Sequence, residues 1–286
     1  MAIRLDGAAL AARLRAEVRE EAAALPRPPA LAVILAGDDP ASQIYVRGKE
    51  RDCVECGIRS FTHRLSAGEA REALLPLVRS LNQNGDVDGI LVQLPLPEGL
   101  EERTVLHTVS PEKDVDCFHP LNAGFLALGE PRFLPCTPAG ILALLDAYEI
   151  PIRGRRCVII GRSRLVGAPL ARLLTLRDGT VTLCHSRTER LPELTRQADI
   201  LVSAAGRPGL VTGDMVKPGA AVIDVAMNRT ADGTLTGDVD FPAAERRAAY
   251  ITPVPGGVGP MTRAMLMRNV LQASRARQRA GGNGKN

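Results

Sequence analysis

The 286-residue chain has no Trp, three Tyr and five Phe, so it lacks the aromatic platforms on which single-stranded bases stack. It also has no block of five or six basic residues. Its formal charge of +4 is spread out, with Arg and Asp/Glu alternating along most helical stretches, which describes solvated faces and not a nucleic-acid footprint. No stretch reaches the ~18 to 20 apolar residues of a membrane span. The opening residues 1–27 mix charge into every turn and hold no apolar core of a secretory signal. The expectation is a cytoplasmic protein without nucleic-acid or membrane partners.

Cysteine is sparse and scattered, at Cys53, Cys56, Cys117, Cys136, Cys157 and Cys184. The lone Cys53-x-x-Cys56 has no partner pair at zinc-site spacing, so reduced, buried thiols and no metal site are expected. Lysine is rarer still: four of the 36 basic residues are Lys, namely Lys49, Lys113, Lys217 and Lys285, and 32 are Arg. Only Lys readily loses its proton when buried, so each of the four merits inspection.

What is present is ordinary for a globular chain, 45% apolar and 24% charged, and the length suits about two domains. Helical patterns alternate with short β-branched runs at 31–36, 60–64, 90–92, 156–160, 180–184, 200–203, 221–225 and 250–251. That alternation predicts an α/β fold whose sheet is mostly parallel. The Pro- and Gly-interrupted stretch 111–138 marks the domain transition. We expect an N-terminal α/β catalytic domain over 1–136, a Rossmann-like nucleotide-binding domain over 137–263, a cleft between them, and a disordered tail over 281–286. A helix over 137–148, with Thr137 as N-cap and Pro138 at its first position, links the halves. The final helix, near 261–279, packs back on the first domain through 264–280.

After the strand 156–160 comes Gly161-Arg162-Ser163-Arg-Leu-Val166-Gly167-Ala-Pro169, then a helical stretch. A Gly-rich turn between strand and helix lets backbone N–H groups approach a pyrophosphate. Ser163 stands where the fingerprint has its middle Gly, so the match is loose. The following strand runs into His185-Ser186-Arg187-Thr188, with no carboxylate for a ribose hydroxyl. Arg162, Ser186 and Arg187 suit a 2′-phosphate, which favours NADP. The alternative is a plain surface cluster in an arginine-rich chain.

In the first half, Asp39 as N-cap and Pro40 at the first position open a helix directly after a strand. Tyr45 and Lys49, four apart, share one of its faces. By itself such a pair more often describes a packed ring and a solvated amine. Gln93 follows a buried-looking strand just before Pro95 and Pro97, and the loop Lys113-Asp114-Val-Asp116 carries two acids. A carboxylate facing a heterocycle edge suits Asp116 better than a metal ligand, because the neighbouring His and Cys lack ligand spacing.

Five motifs now stand in order along nearly the whole chain: SQIYVxxK at 42–49, DGILVQLPLP at 88–97, KDVD at 113–116, GRSxxVGxP at 161–169 and TPVPGGVGPMT at 252–262. Together the chain resembles the bifunctional methylenetetrahydrofolate dehydrogenase/methenyltetrahydrofolate cyclohydrolase family. The resemblance implies NADP-dependent oxidation of 5,10-methylenetetrahydrofolate and hydrolysis of the methenyl product to 10-formyltetrahydrofolate, in one-carbon metabolism, by a homodimer. It implies that Lys49 is catalytic, Gln93 orients it, Tyr45 stacks on the folate and Asp116 holds the pterin. It places Pro255, Gly256, Gly257 and Val258 against folate and nicotinamide. Two rivals remain open at this point, a dehydrogenase-only member and a nucleotide-sensing protein without turnover. Two residues depart from expectation: Cys117 stands where the family usually has Gly, and Gly48 interrupts a helix at a cost of up to ~1 kcal/mol relative to Ala.

Overall fold

The computed structural model describes residues 1–230 and 233–282. Its elements run β1 (Ile3–Arg4), α1 (Gly7–Ala23), β2 (Ala30–Ala36), α2 (Pro40–Glu55), β3 (Arg59–Leu65), α3 (Ala67–Gln83), β4 (Gly89–Val92), α4 (Glu102–Thr108), α5 (Pro120–Leu128) and α6 (Cys136–Ala147). They continue with β5 (Arg156–Ile160), α7 (Gly167–Leu176), β6 (Thr180–Cys184), α8 (Leu191–Thr195), β7 (Ile200–Ser203), β8 (Ala221–Asp224), β9 (Asn228–Arg229) and β10 (Leu235–Thr236). The last are α9 (Phe241–Glu245), β11 (Tyr250–Ile251) and α10 (Val258–Gly282). The chain forms two compact units, one of residues 13–134 with the chain from 263 onward, the other of 1–12 with 135–262.

The unit built on 13–134 holds a three-stranded sheet in the order β3-β2-β4, parallel throughout. All seven residues of the central strand β2 are buried, as expected of a parallel strand covered on both faces. Ala32, Ile34 and Ala36 alternate onto one face, where Leu74, Val78 and Leu81 of α3 cover them with Ile90 and Val92. A capping box fixes the start of α3: Ser66 Oγ accepts from Glu69 N, and the Glu69 side chain accepts from Ser66 N. The later part of α10 belongs to this unit, where Asn269 Nδ2 donates to the carbonyls of Val115 and Leu134 at 2.7 and 2.8 Å.

The other unit carries a six-stranded sheet in the order β1-β11-β8-β7-β5-β6, parallel at every pairing. Val158, Ile160, Leu201, Val222 and Ile251 project from it into a core closed by Val211, Met215, Val216 and Ala244. Consecutive parallel strands need crossover connections, and α7 supplies the one between β5 and β6.

All eight expected strands are present, shifted by one residue at most at either end. Three others were not expected, β1, β9 and β10, each two residues long and too short for an alternating pattern to show. β1 also corrects the domain boundary. Ile3 and Arg4 pair with Tyr250 and Ile251, so residues 1–12 belong with the six-stranded unit and not with 1–136.

The linking helix α6 begins at Cys136 with Pro135 at the cap, not with Thr137 as cap. The Thr137 hydroxyl instead shares a hydrogen bond of 2.9 Å with Thr262 Oγ1. α10 is longer than expected at both ends and takes in 281 and 282, where a disordered tail was expected. The rest of that tail, 283–286, lies outside the described residues.

Candidate active site

β2 ends at Ala36, and Gly37 turns the chain with φ +84° into α2. Asp39 accepts a hydrogen bond from Ser42 N at 2.7 Å, and Pro40 takes the first helical position, so the two residues that signal a helix start in the sequence do make one. Val46, Gly48 and Cys53 are buried on α2, whereas Tyr45 is 38% exposed. Lys49 Nζ donates to Gln93 Oε1 at 3.0 Å. Gln93 lies one residue past β4. Its backbone N–H donates to Ile34 O, and its side-chain Nε2 donates to Leu94 O at 2.6 Å, which turns the amide oxygen toward the lysine. The structure thus brings Lys49 and Gln93 together from two parallel strands' carboxyl ends, where open sheets collect ligands.

Gly48 is explained by Arg263. A Cβ at position 48 would lie 2.4 Å from Arg263 Nη1, and Arg263 Nε passes on to the Asp52 carboxylate at 3.3 Å. Arg15 reaches the other Asp52 oxygen at 3.8 Å. Burial raises the Asp52 pKa, while Arg263 and Arg15 oppose that rise. The helix that carries Lys49 is therefore tied by a half-sequestered ion cluster that crosses at its glycine.

In the 113–116 loop the two acids have separate fates. Asp114 is 4% exposed, and its oxygens accept from Phe118 N, His119 N and Asn122 Nδ2, so it braces the turn into α5. Lys113 is wholly enclosed, donating to Leu81 O and Asn84 O at 2.8 and 2.7 Å, and its pKa falls to about 8 through burial and the nearby Arg277 and Arg27. Its hydrogen bonds close the carboxyl end of α3. Asp116 is half-buried, and its carboxylate accepts no hydrogen bond among the described residues. The loop bridges β4 in parallel at Ile90 and Asp114. Cys117 has φ +65°, the left-handed region in which Gly is free of Cβ strain, so this departure from the family pattern keeps a glycine's backbone.

The nucleotide turn lies wholly in the six-stranded unit. Gly161 has φ +118°, and a Cβ there would come within 2.3 Å of Ala204 O; one at Gly167 would come within 1.9 Å of Gly161 O. Both glycines are needed for the turn to close on itself. Ser163 completes it, since its Oγ accepts from Val166 N at 3.1 Å and its carbonyl accepts from Ala168 N. After β6, His185 Nδ1 accepts from Arg187 N, and Thr188 Oγ1 accepts from His185 N, which sets the direction of Ser186 and Arg187.

A cavity of about 450 Å³ opens here, lined by Gly161, Arg162, His185, Ser186, Thr188 and Arg207 among others, with no acid in its lining. The guanidinium groups of Arg162, Arg187 and Arg207 have no ion pair or hydrogen bond among the described residues. Thr188 and Arg207 were not singled out from the sequence. Unpaired cations around a strand–helix turn free of Cβ atoms fit a dinucleotide carrying an extra phosphate.

In the loop after β11 the glycines lie against the chain itself. A Cβ on Gly7 would meet Gly257 O at 1.8 Å, and one on Gly257 would meet Pro253 O at 2.7 Å; Gly256 has φ +110°. Ala8 N donates to Gly256 O. These glycines are required by the chain's own close packing. Val258 opens α10 and is 3% exposed.

Fold and turn together define an α/β dehydrogenase-type protein, with a dinucleotide-binding unit and a second unit that carries a lysine–glutamine pair. Comparison with known proteins is specific. The family model for the tetrahydrofolate dehydrogenase/cyclohydrolase catalytic domain matches residues 5–116, and that for its NAD(P)-binding domain matches residues 135–278. The bifunctional protein FolD of Desulfovibrio desulfuricans is 54% identical over 281 residues, covering 96% of this chain and 98% of its own.

Among solved structures, the bifunctional FolD methylenetetrahydrofolate dehydrogenase/cyclohydrolase of Campylobacter jejuni superposes with a TM-score of 0.93 at 46% identity, over 97% of this chain and 100% of that one. The Trypanosoma brucei enzyme, complexed with NADP cofactor and inhibitor, gives a TM-score of 0.92 at 42% identity, over 96% and 98%. The chain belongs to the tetrahydrofolate dehydrogenase/cyclohydrolase family.

Proposed function

We propose that this protein oxidises 5,10-methylenetetrahydrofolate with NADP and hydrolyses the resulting 5,10-methenyltetrahydrofolate to 10-formyltetrahydrofolate, with Lys49 as the acid–base group of the second step. The observation that carries the assignment is the 3.0 Å hydrogen bond from Lys49 to Gln93, in a chain whose family performs both reactions. In hydrolysis a water oxygen bonds to the methenyl carbon and loses a proton, giving a neutral tetrahedral adduct. Its hydroxyl then loses the second proton as the formyl C=O forms and the C–N5 bond breaks, and N5 takes a proton up, so that one proton is released overall. A lysine held by an amide oxygen suits that proton transfer, and Gln93, anchored just past β4 by its backbone bond to Ile34 O, keeps it in one place. Asp116, with its carboxylate uncommitted, accepts hydrogen bonds from the pterin ring. Tyr45, exposed one turn before Lys49, stacks on the folate. Gly161, Arg162, Ser163, Val166, Gly167, His185, Ser186 and Arg187 hold the nucleotide, with Pro255, Gly256, Gly257 and Val258 contributing near its nicotinamide end. When bound, the cofactor supplies the hydride acceptor, so the protein's part in the first step is alignment.

The test is one assay. NADPH should appear only with NADP and methylenetetrahydrofolate together, followed by loss of the methenyl chromophore. NADPH formation with a persistent chromophore leaves a dehydrogenase alone, and neither signal leaves a binding protein. The same reading includes a homodimer, checked by sedimentation equilibrium, and a cytoplasmic setting, in keeping with six free, buried cysteines.

A further inference from the structure

Asp238 is fully buried and lies immediately beneath the loop that follows β7. One of its oxygens accepts from Ser203 Oγ, Ala205 N and Gly206 N at 2.9, 2.8 and 3.2 Å. The other accepts from Arg207 N at 2.6 Å and Asn228 Nδ2 at 3.0 Å. Five donors on a carboxylate with about four acceptor positions saturate it, and three of them are consecutive backbone amides. The path of residues 205–207 is therefore set by one side chain. Ala204, at the start of this loop, is held by a hydrogen bond from its N–H to Ile160 O, and its own carbonyl lies against Gly161 in the nucleotide turn.

This construction ends on Arg207, whose backbone is pinned while its side chain is exposed and lines the same cavity as Arg162 and Ser186. A guanidinium with no protein partner, displayed from a rigid loop beside another such guanidinium, raises the local potential and repels its neighbour until an anion arrives. We propose that Arg207 is a further contact for the cofactor's 2′-phosphate, beside Arg162, Ser186 and Arg187, and so a determinant of NADP over NAD. The proposal rests on the NADP reading above.

The test is titration calorimetry of the full chain with adenosine 2′,5′-bisphosphate and with 5′-AMP, which differ only in the 2′-phosphate. Arg207→Gln is expected to weaken the bisphosphate about tenfold, the scale of one charge-assisted contact, and 5′-AMP by less than about twofold. Arg207→Lys should recover part of the loss. Arg153→Gln makes the same charge change outside the cavity lining and should be silent. Unchanged bisphosphate affinity in Arg207→Gln removes Arg207 from the site, and an equal loss for both ligands overturns the 2′-phosphate assignment. A wild-type protein that does not prefer the bisphosphate sinks the NADP reading and this proposal together, an outcome distinct from failure of Arg207 alone.

Discussion

Three residues carry chemistry that substitution can isolate. Lys49 can release a proton at working pH and Arg cannot, so Lys49→Arg keeps the charge and deletes the transfer. Methenyl hydrolysis should fall ~10²-fold or more, with hydride transfer affected less; stopped-flow traces showing near-normal hydrolysis would reduce Lys49 to an electrostatic role. Gly48→Ala acts one residue away by a different route. Its methyl must push Arg263 aside, because Nη1 stands 2.4 Å from the new Cβ, and Asp52, 5% exposed, loses its nearer cation. Stranding a buried polar group costs about 1 to 3 kcal/mol and Ala regains up to ~1 kcal/mol of helix propensity, so urea unfolding should show a net loss of up to about 2 kcal/mol.

Lys113 gives a pH signature. Its pKa is about 8 in the folded chain against 10.5 for an ordinary lysine, with Arg27, Arg277 and Asp88 facing it. Between those two pH values the unfolded chain binds more protons than the folded one, so this group's contribution to stability rises with pH across that window. The stability difference between wild type and Lys113→Met should shift in favour of wild type from pH 8 to 10.5, and a flat difference would show that Lys113 is not perturbed.

At the scale of elements, the loop beneath which Asp238 sits is the most economical target. Asp238→Asn replaces one acceptor oxygen with a donor, and whichever way the amide turns it faces an N–H or the Ser203 hydroxyl. Binding of NADPH should weaken by about one to two decades, read by fluorescence titration alongside a melting curve; a lowered melting point with unaltered NADPH affinity would mean the loop is not part of the nucleotide site.

Such couplings mark the limit of what the sequence discloses. The strand–helix alternation, the start of α2 at Asp39-Pro40 and the nucleotide turn at 161–167 are legible because each signal is local: a cap, a proline, a pair of glycines. The start of α6 is misread because Thr137-Pro138 carries the same local signal within the first turn of a helix that is already capped at Pro135. The role of Arg207 and the reason for Gly48 are invisible in the sequence on another ground. Their meaning comes from Asp238 and Arg263, partners that only folding brings near. Lys49 with Gln93 was legible through family resemblance, and the distance between them is new information from the structure.

At the scale of the whole molecule, the two units are not two consecutive segments. Residues 1–12 join the six-stranded unit, and the chain from 263 onward returns to the three-stranded one. A fragment of residues 1–134 would lack the α10 side chain that binds the Val115 and Leu134 carbonyls, and one of 135–286 would lack the edge strand β1. Neither fragment should show a cooperative melt alone, and mixing them should restore one; cooperative unfolding of either by itself would refute this.

The pairing of β1 with β11 also bears on how the protein is made. At roughly 5 to 20 residues per second, Ile3 leaves the ribosome between about ten and fifty seconds before Tyr250, its partner in the sheet. Leu5, fully buried in the finished fold, has no place to go in the interval. α10, which closes the other unit, is later still. The nascent chain therefore carries two unfinished units for most of its synthesis, one short of its closing helix and the other of its sheet, and a ribosome that stalls before residue 250 leaves both of them for chaperones and proteases to handle.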